Sequence, residues 1–157
     1  MQTRPRHLVF MLFTAVAGAN SCSSTPPKPT IVELTISADK DVNEAFSGRA
    51  SPILVRIHQL TSERPFVGAD YYRIVNDRSG PLGETLVKGE EVVLDPDTQK
   101  TMVRMLDDRV KFIGFVADYR DIDNAVWTAI VPVADHRTNI VSVKLGRLAI
   151  SAEGSEK

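Results

Sequence analysis

One cysteine, one tryptophan and three histidines are all that 157 residues contain of these types, and each scarcity closes off a kind of chemistry. A single thiol cannot form an internal disulfide, so the domain has to be held by packing. His7, His58 and His136 stand apart with no second histidine or cysteine at ligand spacing, which argues against a zinc site. Neither charge sign is in excess: the formal net charge is -1, and no basic field is available to hold nucleic-acid phosphates. There is no phosphate-cradling glycine loop and no nucleophile elbow. "DYRDIDN" fails as a calcium loop, because counting from Asp121 puts Val126 where glycine belongs and Pro132 where the closing glutamate belongs. The expectation is a protein with no catalytic residues, no metal, no nucleic acid and no small-molecule substrate. With 43% hydrophobic and 25% charged residues, the length suits one domain with a modest core.

Long apolar runs are also missing. Leu8 to Ala19 is too short to span a bilayer. Preceded by Arg4 and Arg6 and followed by small residues, it reads as a secretory signal over residues 1–21, the alternative being a buried N-terminal element. Removing it takes away two arginines and no acid, which shifts the formal charge from -1 to -3. The lone cysteine stands directly after it, in "GANSCSSTPPKP". That placement resembles the lipobox of bacterial lipoproteins, in which the thiol is diacylated, the signal is cut before it and the new amine is acylated. Cys22 would then be residue one and carry a covalent lipid such as palmitate. Ala19, Asn20 and Ser21 differ from the usual lipobox, which has leucine three places upstream. Ordinary cleavage after Ala19 or Ser21, leaving a free thiol, is the alternative. An exposed unpaired thiol in an exported protein is prone to oxidation, which favours the lipid. At about 0.8 kcal/mol per buried methylene, several acyl chains make a permanent anchor. Ser23, rather than an aspartate, after the cysteine implies the outer membrane under enteric-type sorting rules.

Ser23 to Thr30 holds three prolines and no large apolar side chain. Extended at about 3.1 Å per residue, it would hold a domain on the order of 25 Å from the bilayer, or else form a disordered tail. From Ile31 the hydrophobic period becomes two. Val32, Leu34, Ile36 and Ala38 alternate with polar residues, and Ile53, Val55 and Ile57 alternate with Arg56 and His58. Further runs lie at residues 91–94, 101–106, 110–119, 125–133, 139–145 and 147–151. About eight short strands with turn residues between them predict an all-β sandwich over residues 31–151, followed by a tail at 152–157. "VKFIGFVADY" is apolar on both faces and reads as a central strand, whereas Pro132 marks an edge or bulge. Phe66, Ala69, Tyr71 or Tyr72, and Ile74 recur at helical spacing, so a small helical insertion is expected at about 65–90. His58 reads as a half-exposed strand residue, Trp127 as a filler of the sandwich core with Tyr119 across a bend, and Arg120 with Asp121 as an ion pair holding a turn.

The segments "SADKDVNEAFSGRASPILVRIHQL", "PFVGADYYRI" and "VKFIGFVADYRDIDNAVW", in this order behind a lipoprotein-like start, resemble the type VI secretion lipoprotein family TssJ. The resemblance covers roughly Ile31 to Leu145. It departs at the lipobox and at Thr128, where the family often has arginine. It implies a transthyretin-like β-sandwich facing the periplasm from the outer membrane and binding the periplasmic domain of TssM, through which it reaches TssL. It also implies that the loop between the first two strands carries the binding. Here that loop is Asp39 to Ser51, thirteen residues and far longer than a hairpin needs. Val42 and Phe46 are expected to supply apolar contact, and Asp39, Asp41, Asn43 and Arg49 to set register. Alternatively, Phe46 folds back onto its own sandwich and Asn43 makes a turn. The competing function is a transthyretin-like carrier or generic ligand-binding lipoprotein, which would need a concave apolar pocket.

Overall fold

The computed structural model describes residues 26–44, 48–76, 80 and 82–157. The expected signal, Cys22 and Phe46 lie outside these residues.

Among the described residues eight strands form: β1 Ile31–Ala38, β2 Ile53–Leu60, β3 Leu86–Leu94, β4 Gln99–Met105, β5 Phe112–Ala117, β6 Thr128–Pro132, β7 Thr138–Leu145 and β8 Ile150–Glu156. They build two four-stranded sheets, in the orders β4-β1-β7-β8 and β3-β2-β5-β6. Only β1 and β7 pair in parallel, which is possible because the whole second sheet lies between them in sequence. Alternation sets the faces: β1 buries Val32, Leu34, Ile36 and Ala38 and leaves the residues between half-exposed. These side chains meet Ile53, Val55, Ile113 and Phe115 from the other sheet in the main core. β5 lies between β2 and β6, as its two apolar faces predict, and Pro132 is accommodated because β6 is an edge strand.

The outer face of the second sheet is covered. Helices α1 Arg64–Val67 and α2 Tyr71–Asn76 follow β2, and a 3-10 turn Gly83–Thr85 leads into β3. Phe66, Ile74 and Leu82 pack with Leu60 and Val116 into a second cluster. Gly114 makes this possible, since a β-carbon there would stand 2.7 Å from the Phe66 ring. His58, in register with Gly114, is therefore buried instead of half-exposed.

Two expected boundaries move. The helical insertion ends at Thr85 and not near residue 90, because Leu86–Leu94 pairs along the whole of β2. The expected strand at 147–151 and tail at 152–157 become one strand, since Ile150–Glu156 runs beside β7. Gly146 donates its N–H to the Ala149 carbonyl at 2.8 Å, which makes residues 146–149 the turn. Both misplaced segments are edge strands whose side chains are mostly exposed and show little apolar alternation along the sequence, while their ladders are formed by the backbone.

Candidate functional site: the loop between the first two strands

The loop leaves the end of β1 and is tied down on several sides. Asp39 donates its N–H to Leu145 O at 2.9 Å, Val42 N–H reaches Asp39 O at 3.1 Å and Ser51 N–H reaches Val42 O at 3.2 Å. Val42 itself is fully buried in the main core. Asn43 adopts φ 50°, a left-handed conformation that asparagine tolerates better than most residues. Its Nδ2 donates to Pro52 O at 2.9 Å, and its Oδ1 accepts the Arg120 N–H at 2.8 Å. One buried side chain thus joins the two limbs of the loop to the β5–β6 connection. Outside this clamp, Glu44 faces Arg147 at 3.3 Å and Asp39 faces Lys144 at 3.7 Å. Lys40, Asp41, Gly48 and Arg49 are exposed.

Of the residues expected to meet a partner, Asp39, Asp41 and Arg49 therefore reach solvent. Val42 and Asn43 point inward and shape the loop, because the core takes the valine and two backbone groups take the amide. The expectation of direct contact by these two is corrected to a buttressing role. For Asn43 this agrees with the turn-making alternative. The part played by the Arg120 N–H had no signal in the sequence, because a backbone donor 77 residues away leaves no pattern.

The neighbouring aromatic residues brace the same end. Tyr119 is buried and its hydroxyl donates to Gly146 O at 3.2 Å, so the end of β5 is tied to the β7–β8 turn. Burial, followed by the Asp39 charge, pushes its pKa well above the ordinary tyrosine value. Trp127 is half-buried at the seam between the main core and the helical layer, touching both, rather than wholly inside the sandwich. Its ring meets Tyr71 edge-on at 5.5 Å. Burial, with Asp118 adding to it, pushes the Tyr71 hydroxyl up to about 12. The expected Arg120–Asp121 pair is absent among the described residues: Asp121 instead accepts the Asn124 amide at 2.9 Å, and the charge pair on this side is Arg56 with Asp118 at 2.8 Å. Among the described residues no cluster of three or more His, Cys, Asp or Glu is placed to hold a metal ion, and no helix is long and apolar enough to cross a membrane.

The structure is thus an all-β sandwich with one long, internally braced loop at the end of β1. A family model described as "Type VI secretion lipoprotein, VasD, EvfM, TssJ, VC_A0113" matches residues 30–148, and the chain belongs to that family. Among solved structures it is similar to the T6SS lipoprotein TssJ1 from Pseudomonas aeruginosa, with 32% identity, 81% of this chain and 97% of that one covered, and a TM-score of 0.77. Serratia marcescens Lip, a membrane-bound component of the type VI secretion system, is 23% identical over 82% of this chain and 98% of its own, with a TM-score of 0.72. A chain from a structure described as the T6SS protein TssM C-terminal domain (869-1107) from EAEC has 22% identity, coverage of 82% and 98%, and a TM-score of 0.62. No curated protein matches.

Proposed function

We propose that this lipoprotein is held at the periplasmic face of the outer membrane by acyl chains on Cys22. It binds the periplasmic C-terminal domain of TssM through the β1–β2 loop, and through TssM it connects to TssL. It is a tether with no catalytic step and no small-molecule substrate. The observation that carries this reading is the polarity of β1. The linker from Cys22 enters the strand at Ile31, and the loop leaves it after Ala38, seven residue steps or about 23 Å away at 3.3 Å per residue. The linker's entry to the sandwich and the loop therefore stand at opposite ends of β1, which suits a device that bridges a membrane and a protein. The family membership supports the reading, and so does the occurrence of the same fold in a structure described by the TssM C-terminal domain.

The loop contact is tested by capture of the TssM periplasmic domain. Reversing the exposed charges with Asp41→Lys and Arg49→Glu should weaken capture by at least about tenfold, about 1.4 kcal/mol, with thermal unfolding unchanged. Undiminished capture by this double variant, and by a chain in which residues 44–50 are replaced with a short Gly-Ser linker, would rule the loop out as the binding surface.

A further inference from the structure

The linker was expected to hold the domain away from the bilayer, but the structure docks its second half onto the sandwich. Thr30 is buried, its Oγ1 accepts the His136 N–H at 2.8 Å, and its carbonyl accepts the Leu106 N–H at 2.9 Å. His136 Nδ1 lies 2.8 Å from Lys28 O, and since a carbonyl only accepts, that ring nitrogen carries the proton. Pro27 to Pro29 lie along a groove of about 430 Å³ whose far wall includes Met105. Only four residue steps remain between Pro26 and Cys22, so the backbone of Cys22 lies within about 14 Å of Pro26. The headgroup zone of one leaflet is roughly 5–8 Å deep. An acylated Cys22 thus leaves at most roughly 6–9 Å between the headgroups and Pro26, too little for a long stalk, and brings the linker end of the sandwich close to the lipid surface.

The chemistry of that end fits such a neighbour. Met105 is 73% exposed and Val103 60%, both on the outer face of β4, with Ile31 beside Met105 in the adjoining strand. Most of the charges around them are paired: Arg109 with Asp107 at 2.9 Å, Lys111 with Asp135 at 2.5 Å, Arg137 with Glu156 at 2.8 Å and Lys157 with Glu33 at 3.3 Å, and Lys28 and Asp108, which line the same groove as Met105, are of opposite sign. Apolar side chains within a rim of mutually neutralised ions suit a zwitterionic surface better than an anionic one, and a flexible thioether adapts to a disordered interface. We propose that the linker end of the sandwich, centred on Met105 and Val103, is a membrane-contact surface laid against the zwitterionic phospholipid headgroups of the leaflet that holds the anchor. This rests on the reading that Cys22 is acylated.

The test uses the acylated protein, extracted from membranes and reconstituted into phosphatidylcholine vesicles with or without bromine atoms on the upper acyl chain. Met105→Trp and Arg49→Trp are compared with the parent, whose only indole is Trp127. Because Met105 is already exposed on an edge strand, the substitution leaves the core untouched. The emission added by Met105→Trp should be quenched at least about twofold more than that added by Arg49→Trp, which lies at the far end, and high salt should leave the difference unchanged. Equal quenching at the two positions, with the protein still floating with the vesicles, would overturn the contact surface and leave the anchor standing. Failure to float would overturn both.

Discussion

His58 sits on β2 between two glycines, Gly89 on β3 and Gly114 on β5, with the Phe66 ring 6.0 Å away. It is 9% exposed, and neither ring nitrogen has a hydrogen-bond partner among the described residues. Burial first, and the Arg56 charge second, lower its pKa from 6.5 to about 4. The folded protein therefore holds this ring neutral, and the unfolded chain takes up the proton more readily. Its contribution is complete above about pH 6.5 and is lost as the pH falls toward 4, amounting to at most about 3 kcal/mol. Denaturant titrations at pH 7 and pH 4.5 should show a fall in stability for the parent and a clearly smaller fall for His58→Phe. An equal fall in both would assign the pH dependence to other groups. The sequence placed His58 correctly on the opposite side of the strand from Ile57. What covers that side depends on Phe66 arriving over Gly114, which a two-residue period does not encode.

At the scale of elements, the strands facing the core and the edge strands β4 and β6 were legible, and the edge strands β3 and β8 only in part. β1, β2 and β5 carry the apolar alternation or the continuous apolar run that burial on one or both faces demands. β3 and β8 are defined by what their backbones pair with, and their side chains mostly face water. β8 is nevertheless structural: residues 152–156 complete the ladder to β7, and Gly154 sits where a β-carbon would touch Val131 at 3.5 Å. Truncation after Ser151 should lower stability by several kcal/mol and the Tm by on the order of 10 °C, as read by thermal unfolding. An unchanged Tm would mean that the segment is a disposable tail. The helical insertion was visible because Phe66 and Ile74 follow helical spacing, and both are indeed buried, although the structure breaks the one expected helix into two at residues 68–70.

Across the whole molecule, the linker, β1 and the loop form one continuous path, and β1 is held on both sides. It pairs with β4 over Ile31–Ser37 and with β7 over Ile31–Ala38. Tension between a lipid anchor and a protein bound at the loop would run along this strand, perpendicular to its hydrogen bonds, and load the rungs on both flanks together. Shear of this kind spreads force over the whole ladder instead of opening it one rung at a time. The anchor is tested by Cys22→Ser. The variant should leave the membrane fraction for the soluble one and keep the parent's thermal unfolding, since the position precedes the first strand in sequence. Retention in the membrane fraction would count against acylation.

The order and spacing of the apolar residues, read alone, were enough for the number of strands, the face each core strand buries and the place of the helical insertion, because these are properties of neighbouring residues along the chain, while the family was legible in the resemblance of three longer segments. Only the tertiary structure decided that Val42 and Asn43 turn inward, that the outer face of β2 is roofed, that Lys28 and Thr30 of the linker bond to His136, and that the linker's entry to β1 and the loop stand at opposite ends. Each of these depends on a contact between segments far apart in sequence, such as Asn43 with Arg120 or Thr30 with His136. Such contacts form when the two sheets close on each other, and no local period records them.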